Sequence, residues 1–275
     1  MTKSDQKLKD VVKQKYAEIA KSEQSGGCGC CGSEKNDCDQ NNYISFSDDY
    51  SDQKGYLKEA DLGLGCGIPT DIAQIKPGQT VVDLGSGAGN DCFVASRVVG
   101  DEGLVIGVDM TREMIDRAKK NALLAGLTNV KFRLGDIEDL PITSNKADVV
   151  ISNCVLNLVP DKYAAFNEII RVLKPGGHFA ISDVVIEGDV PDLLREKAEF
   201  YVGCISGAVS LKEYLSIIDQ TGFQKVGVLK RKRIELPVSF VQDILNQNEY
   251  YLYLEAGLGI YSVTVYGEKP SSCCG

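Results

Sequence analysis

Apolar residues recur at helical spacing through about the first 22 residues, where Leu8, Val11, Val12, Tyr16 and Ile19 share one face. The pattern then breaks. "SEQSGGCGCCGSEKNDCDQNN" is polar and glycine-rich and carries Cys28, Cys30, Cys31 and Cys38. Too little apolar surface is present to build a core, so a mobile loop or linker is expected. From Thr80 onward, short apolar runs alternate with amphipathic stretches. "TVVDLG", "GLVIGVD", "VKFRLGD", "ADVVISN" and "HFAISDVVI" read as five strands. Helices are expected between them: one through Val94, Ala95 and Val98, one over "TREMIDRAKKNALLAG", and one over "AAFNEIIRVLKPGG". The second has Thr111 as N-cap, Met114 and Ile115 inward and Gly126 at its end; the third is stopped by Pro175 and the glycines. Such alternation predicts an α/β fold with a doubly wound, mostly parallel sheet.

The C-terminal part loses this rhythm. "DVPDLLREKAEFYVGCISGAVSLKEYLSIIDQTGF" reads as an inserted helical cap, and "VGVLKRKRIEL" and "GIYSVTVYGEK" as an antiparallel pair closing a seven-stranded sheet. The expected organisation is an N-terminal helix and Cys-rich segment (1–60), a ligand-binding core (61–186), the cap (187–225) and closing strands with a tail (226–275). The tail "SSCCG", with Cys273 and Cys274, is expected to be disordered.

Charge and composition narrow the function. A formal charge of -9 over 275 residues disfavours a nucleic-acid ligand. The basic run Lys230 to Arg233 reads as a solvated strand edge in preference to a binding patch. No apolar run approaches the roughly 18 residues of a membrane span, and the N-terminus lacks the apolar core of a secretory signal. A cytoplasmic location is therefore expected, where thiols stay reduced. Ten cysteines then point to metal, metalloid or redox chemistry, although free cysteines also serve as small core residues.

"VVDLGSGAGND" sets Gly85, Gly87 and Gly89 on the turn after the first strand, with Asn90 where a dinucleotide motif wants its third glycine. Asp83 at the strand end repels a pyrophosphate but suits a cationic, zwitterionic ligand. Asp109 closes the second strand, placed for a ribose diol. Asp136 closes the third, placed for an adenine amino group with Ile137 against the ring. Three acids at three successive strand ends fit S-adenosylmethionine better than NAD.

Three cysteine segments remain: "LGLGCGIP" with Cys66, "ISNCVLNL" with Cys154 and "YVGCISGA" with Cys204. In a doubly wound sheet all three can converge over the carboxyl ends of the strands, where three thiolates would suit a soft ion. Zinc is a competitor but prefers four ligands, often in close pairs, and the lone His178 sits in a strand pattern. Unrelated core cysteines are the plainer alternative. Cys92 follows the glycine loop at a helix start, where a thiolate is favoured, yet "DCFVAS" also reads as a packed helix face.

"DLGSGAG", "GVDM" and "LKPGG" resemble class I S-adenosylmethionine-dependent methyltransferases. From Leu62 to about Phe223, "GNDCF", "ISNCVLNLVPDK", "LKPGG", "SDV" and "GC-x-x-GA" resemble the arsenite methyltransferases among them. The resemblance implies a cofactor set of Asp83, Gly85, Ser86, Gly87, Asp109, Met110, Asp136, Ile137 and Asn153. It implies As(III) as substrate, bound by Cys154 and Cys204 with Cys66 as a third thiol used in binding or in disulfide exchange. Methylation oxidises arsenic formally, so a thiol reductant such as glutathione or thioredoxin is implied as co-substrate and partner. Cys66 would exchange with an N-terminal cysteine, Cys38 first and Cys28, Cys30 or Cys31 as alternatives. Cys28, Cys30 and Cys31 and the tail pair Cys273 and Cys274 alternatively capture arsenic and hand it on or are passive, and Tyr201 is either a pocket wall or a packing residue. Two departures stand out. Leu64 occupies a position where many relatives have an aromatic residue, and any long C-terminal domain of some relatives is expected to be absent. The alternatives are a small-molecule C- or O-methyltransferase with incidental cysteines, and a protein that sequesters arsenic or heavy metals.

Overall fold

The computed structural model describes residues 3–21, 48–188, 207–235, 246 and 259–271. Seven strands form one sheet in the order β3-β2-β1-β4-β5-β7-β6. β1 (Thr80–Leu84), β2 (Leu104–Asp109), β3 (Val130–Leu134), β4 (Ala147–Asn153) and β5 (Leu173–Glu187) run parallel. β7 (Gly259–Glu268) is antiparallel to both β5 and β6 (Gln224–Ile234). The closing pair expected from the sequence is therefore present, with β6 on the edge. Its basic run is solvated: Lys230 and Lys232 both pair with Asp48 at 2.8 Å, and Arg231 with Glu187 at 2.7 Å.

The apolar runs lack a polar face because helices cover both sides of the sheet. Val81, Val149 and Ile151 point to one side and pack on Phe93 and Ile115 of α3 (Asn90–Val99) and α4 (Arg112–Leu124). Val82, Leu84 and Val150 point to the other and pack with Phe166 of α5 (Lys162–Val172) and Tyr214 of α6 (Leu211–Gln220). Strand order reverses between β1 and β4, and the connections leaving these strands diverge to open a crevice at their carboxyl ends. α1 (Lys3–Lys21) lies outside this core and reaches that crevice. A four-residue helix, α2 (Pro69–Ile72), was not apparent in the sequence. Among the described residues no helix is long and apolar enough to cross a membrane.

Two local readings need correction. α5 stops at Val172, and "LKPGG" belongs to β5. The residue before a proline is driven out of the helical region, so the chain straightens at Leu173, before Pro175 itself. Thr111 is the N-cap of α4, but its side chain makes no cap bond; the Asp109 carboxylate accepts the Thr111 N–H at 2.8 Å instead. Of the expected cap (187–225), Glu187 ends β5, 207–223 carry α6 and 224–225 open β6, while 189–206 lie outside the described residues, as do the Cys-rich segment and the cysteine tail.

One buried polar group braces the turn that leaves β4. Asp183 is fully buried and accepts the Val184 N–H at 3.0 Å and the Tyr214 hydroxyl at 3.2 Å. Lys162 donates to the Asn157 and Val159 carbonyls at 3.2 and 3.1 Å. Burial pushes Asp183 up to about 7, while Lys162 nearby pulls the other way. The folded state thus holds a proton that the unfolded state has released between about pH 4 and 7, and stability falls as pH rises through that window. Replacing Asp183 with Asn removes this dependence. The melting temperature of the variant relative to the parent should climb between pH 5 and 8, measured by calorimetry across that range.

Candidate active site

Two of the three cysteines singled out in the sequence meet. Cys66 and Cys154 are joined as a disulfide, with Cα atoms 5.7 Å apart. The sequence suggested free thiols and an N-terminal exchange partner for Cys66; the fold brings Cys154 to it because the Cys66 loop lies directly over the end of β4. Cys204, Cys38 and Tyr201 lie outside the described residues, as do Cys28, Cys30, Cys31, Cys273 and Cys274. Among the described residues no three His, Cys, Asp or Glu side chains cluster as a metal site. His178 sits in β5, with Nε2 2.6 Å from the Ala73 carbonyl oxygen.

The pair is held by short polar contacts. Cys154 takes a left-handed backbone conformation, φ 58°, and its N–H donates to the Ser182 carbonyl at 2.8 Å. Such a conformation is costly for a side-chain-bearing residue and is concentrated at functional turns. Cys66 donates its N–H to Asn153 Oδ1 at 3.0 Å, and its carbonyl accepts the Ser262 hydroxyl at 2.6 Å. Asn153 Nδ2 reaches the Tyr50 hydroxyl at 2.8 Å, the Gly67 carbonyl at 2.7 Å and Asp91 at 3.2 Å. Tyr50 donates to Asp91 at 2.8 Å. Burial pushes Asp91 up to about 6, against the pull of its Tyr50 and Asn153 hydrogen bonds. Gly65 has no room for a Cβ, which would lie 2.7 Å from Asn153 Nδ2.

Cys154 also lines an open cleft enclosing about 1130 Å³ including its mouth. Every residue of the expected cofactor set lines this cleft: Asp83, Gly85, Ser86, Gly87, Asp109, Met110, Asp136, Ile137 and Asn153. Gly85, Gly87 and Gly89 all have positive φ, at 67°, 51° and 101°, which lets the loop after β1 double back to the start of α3. The Asp109 carboxylate accepts the Gly87 N–H at 3.0 Å, bracing that loop. Burial raises the pKa of both Asp83 and Asp109, and the neighbouring Asp91 charge raises Asp83 further. Cys92 is a fully buried thiol that donates to Asp83 at 3.1 Å, which settles it as a packed residue with a polar contact to the cleft. Burial pushes its thiol up, away from thiolate character. Ser86 Oγ and Asn90 Oδ1 are buried at the cleft without a hydrogen-bond partner among the described residues. Unpaired polar atoms beside buried acids are the donor and acceptor set that a zwitterionic, cationic nucleoside such as S-adenosylmethionine would satisfy.

Comparison with known proteins sets this cleft in a family. A methyltransferase-domain family model matches residues 75–226. The arsenite methyltransferase of Halobacterium salinarum is 38% identical, over 97% of this chain and 68% of that protein. This chain belongs to the arsenite methyltransferase family. The human arsenite methyltransferase is 38% identical over 58% of this chain, which spans only 44% of the human protein. The crystal structure of an arsenic(III) S-adenosylmethionine methyltransferase from Chlamydomonas reinhardtii superposes with a TM-score of 0.63 at 32% identity, covering 74% of this chain and 66% of that one. A Haemonchus contortus phosphoethanolamine N-methyltransferase shares the fold, with a TM-score of 0.58 at 19% identity. Family and fold make the chain an S-adenosylmethionine-dependent methyltransferase.

Within this family site, the sequence did not announce Tyr50, Ser182, Ser262 or Lys9. Asp91 was visible inside "GND", beside the glycine loop; the others sit at unremarkable positions. Asn153, expected at the cofactor, lines the cleft and divides its side-chain bonds between the Cys66 loop and the Tyr50 and Asp91 side chains. Replacing Asn153 with Ala removes that clamp while leaving both cysteines. The Cys66–Cys154 disulfide should then form about tenfold less favourably against a glutathione buffer, since each lost hydrogen bond contributes roughly 1 kcal/mol. Quantified thiol trapping with mass spectrometry reads this equilibrium.

Proposed function

We propose that this protein transfers a methyl group from S-adenosylmethionine to trivalent arsenic held by cysteine sulfurs, an activity suited to arsenic detoxification. The observation that carries this reading is that Cys66 and Cys154 meet at the rim of the cleft lined by the strand-end acids. The names of the Halobacterium, human and Chlamydomonas relatives add support. Cys204 completes the proposed ligand set. Gly207, three residues further on, is packed so closely on the Asn157 carbonyl that a Cβ would collide with it.

S-adenosylmethionine supplies an electrophilic methyl group on sulfur. Asp83, Asp109 and Asp136 would hold its cationic portion, ribose and adenine respectively, with Gly85, Ser86, Gly87, Met110 and Ile137 around them. The cysteine sulfurs hold As(III) so that its lone pair faces the cleft. An arsenic–carbon bond forms as the sulfur–carbon bond breaks, and the departing sulfur keeps the bonding pair. No base is needed, because arsenic carries no proton to lose. Catalysis rests on holding donor and acceptor in line, where good orientation contributes on the order of 7–11 kcal/mol.

Arsenic leaves this step two electrons more oxidised, and two thiols that close to a disulfide return them. Cys66 with Cys154 is the pair that the fold holds ready, and Cys38 is the proposed N-terminal relay. Glutathione or thioredoxin would then reopen the disulfide, consistent with work in the cytoplasm. The disulfide form must be reduced before arsenic can bind.

Purified protein with labelled S-adenosylmethionine, As(III) and a thiol reductant should yield methylated arsenicals on chromatography. Cys154→Ser and Cys204→Ser should each abolish that product while S-adenosylhomocysteine binding survives; full activity in Cys154→Ser defeats the ligand assignment. Cys66→Ser should fail on arsenite yet retain activity on a methylated arsenical, which needs fewer thiol ligands. Label appearing only in carbon or oxygen acceptors would favour the small-molecule methyltransferase instead, and binding without turnover a sequestering protein.

A further inference from the structure

Helix α1 supplies a wall of the cofactor cleft that the strand-end acids alone leave open. Lys9, Val12 and Tyr16 line the cleft beside Asp136 and Ile137. Lys9 Nζ lies 2.6 Å from Asp136 Oδ2 and 2.5 Å from Glu138 Oε2, and its side chain is only 11% exposed. Burial opposes the ammonium, but the hydrogen bonds and charges of Asp136 and Glu138 outweigh it and raise its pKa, so the cation persists at neutral pH. Elsewhere α1 is tied to α4 by weaker means: Arg117 donates to the Ala20 carbonyl at 3.1 Å, and Lys21 pairs with Glu113 at 3.0 Å on the surface. The Lys9 charge therefore falls on the acid expected to read adenine.

That placement constrains Asp136 from two sides. Oδ1 accepts the Glu138 N–H at 3.0 Å and Oδ2 binds Lys9, which fixes the plane of the carboxylate. A carboxylate has about four lone-pair sites, so acceptor capacity remains for one more donor. Glu138 is itself anchored, accepting the Asp161 N–H at 3.0 Å, and it does not line the cleft.

We propose that Lys9 is a cofactor-positioning residue, which orients Asp136 toward the adenine amino group and draws Val12 and Tyr16 over the adenosine. This rests on the reading above that adenine lies against Asp136 and Ile137.

Titration calorimetry with S-adenosylhomocysteine on the full chain tests it. Lys9→Met keeps the stem and removes the charge, and should weaken binding about tenfold, the effect of losing one charged hydrogen bond. Lys9→Arg, which can span both acids, should bind within about twofold of the parent. Glu138→Gln should weaken binding about threefold and add little to Lys9→Met, since both act through one contact. Unchanged or tighter binding in Lys9→Met, failure of Lys9→Arg to restore binding, or additive effects of Lys9→Met and Glu138→Gln would overturn the role. Asp136→Asn separates this proposal from the reading beneath it. If Asp136→Asn binds as tightly as the parent, the adenine placement fails and takes the role of Lys9 with it. If Asp136→Asn is weakened but Lys9→Met is not, the placement stands and Lys9 alone is misassigned.

Discussion

A single carboxamide joins the two halves of this site. Asn153 ends β4, and its side chain grips the Cys66 loop through the Cys66 N–H and the Gly67 carbonyl. That loop is bounded by glycines at 63, 65 and 67, and owns little of the sheet core. Its position over the sheet comes from outside: from Asn153, from Ser262 of β7, from the Tyr50 hydroxyl on the Gly67 carbonyl, and from the bond to Cys154. Strands β4 and β7 therefore fix where Cys66 sits relative to Cys154. Once the disulfide is open, the loop depends on these hydrogen bonds for its place at the rim, because the sheet core draws on other residues.

Electrostatics reinforce the same geometry. Asp83, Asp91 and Asp109 are gathered at the carboxyl ends of β1 and β2 and the start of α3, and burial raises each pKa. They accept hydrogen bonds from thiol, phenol, amide and backbone donors. Clustered acids under strain of this kind favour a guest that brings positive charge and hydrogen-bond donors. The same arrangement repels phosphate, which explains why a glycine loop after a first strand need not mean a dinucleotide. Asp136 lies further out and has a lysine partner, so its charge is already compensated within the chain.

Much of this was legible because its signals are local. Period and run length revealed β1 to β5 and the closing pair; the glycine loop and strand-end acids marked the cleft; and the contexts of Cys66 and Cys154 marked its rim. What escaped reading depends on tertiary proximity. Tyr50 stands 103 residues from Asn153 in the chain, and Ser262 stands 196 from Cys66. No spacing rule connects such positions. Lys9 looks like any polar residue on an amphipathic helix until α1 is docked. The length of β5 was hidden by "KPGG", whose composition says turn, although pairing with β4 and β7 keeps the chain extended through it.

The covalent link between Cys66 and Cys154 encloses 88 residues of chain, a stretch that includes β1, β2 and β3. Cross-linking so large a ring removes disorder from the unfolded chain, to the extent of about 4–5 kcal/mol on a loop-entropy reckoning. Oxidised molecules are then the more stable ones, and reducing the bond gives up that reserve. The reduced chain keeps the same sheet with a looser tether across it, and so leans most on whatever fills the cleft.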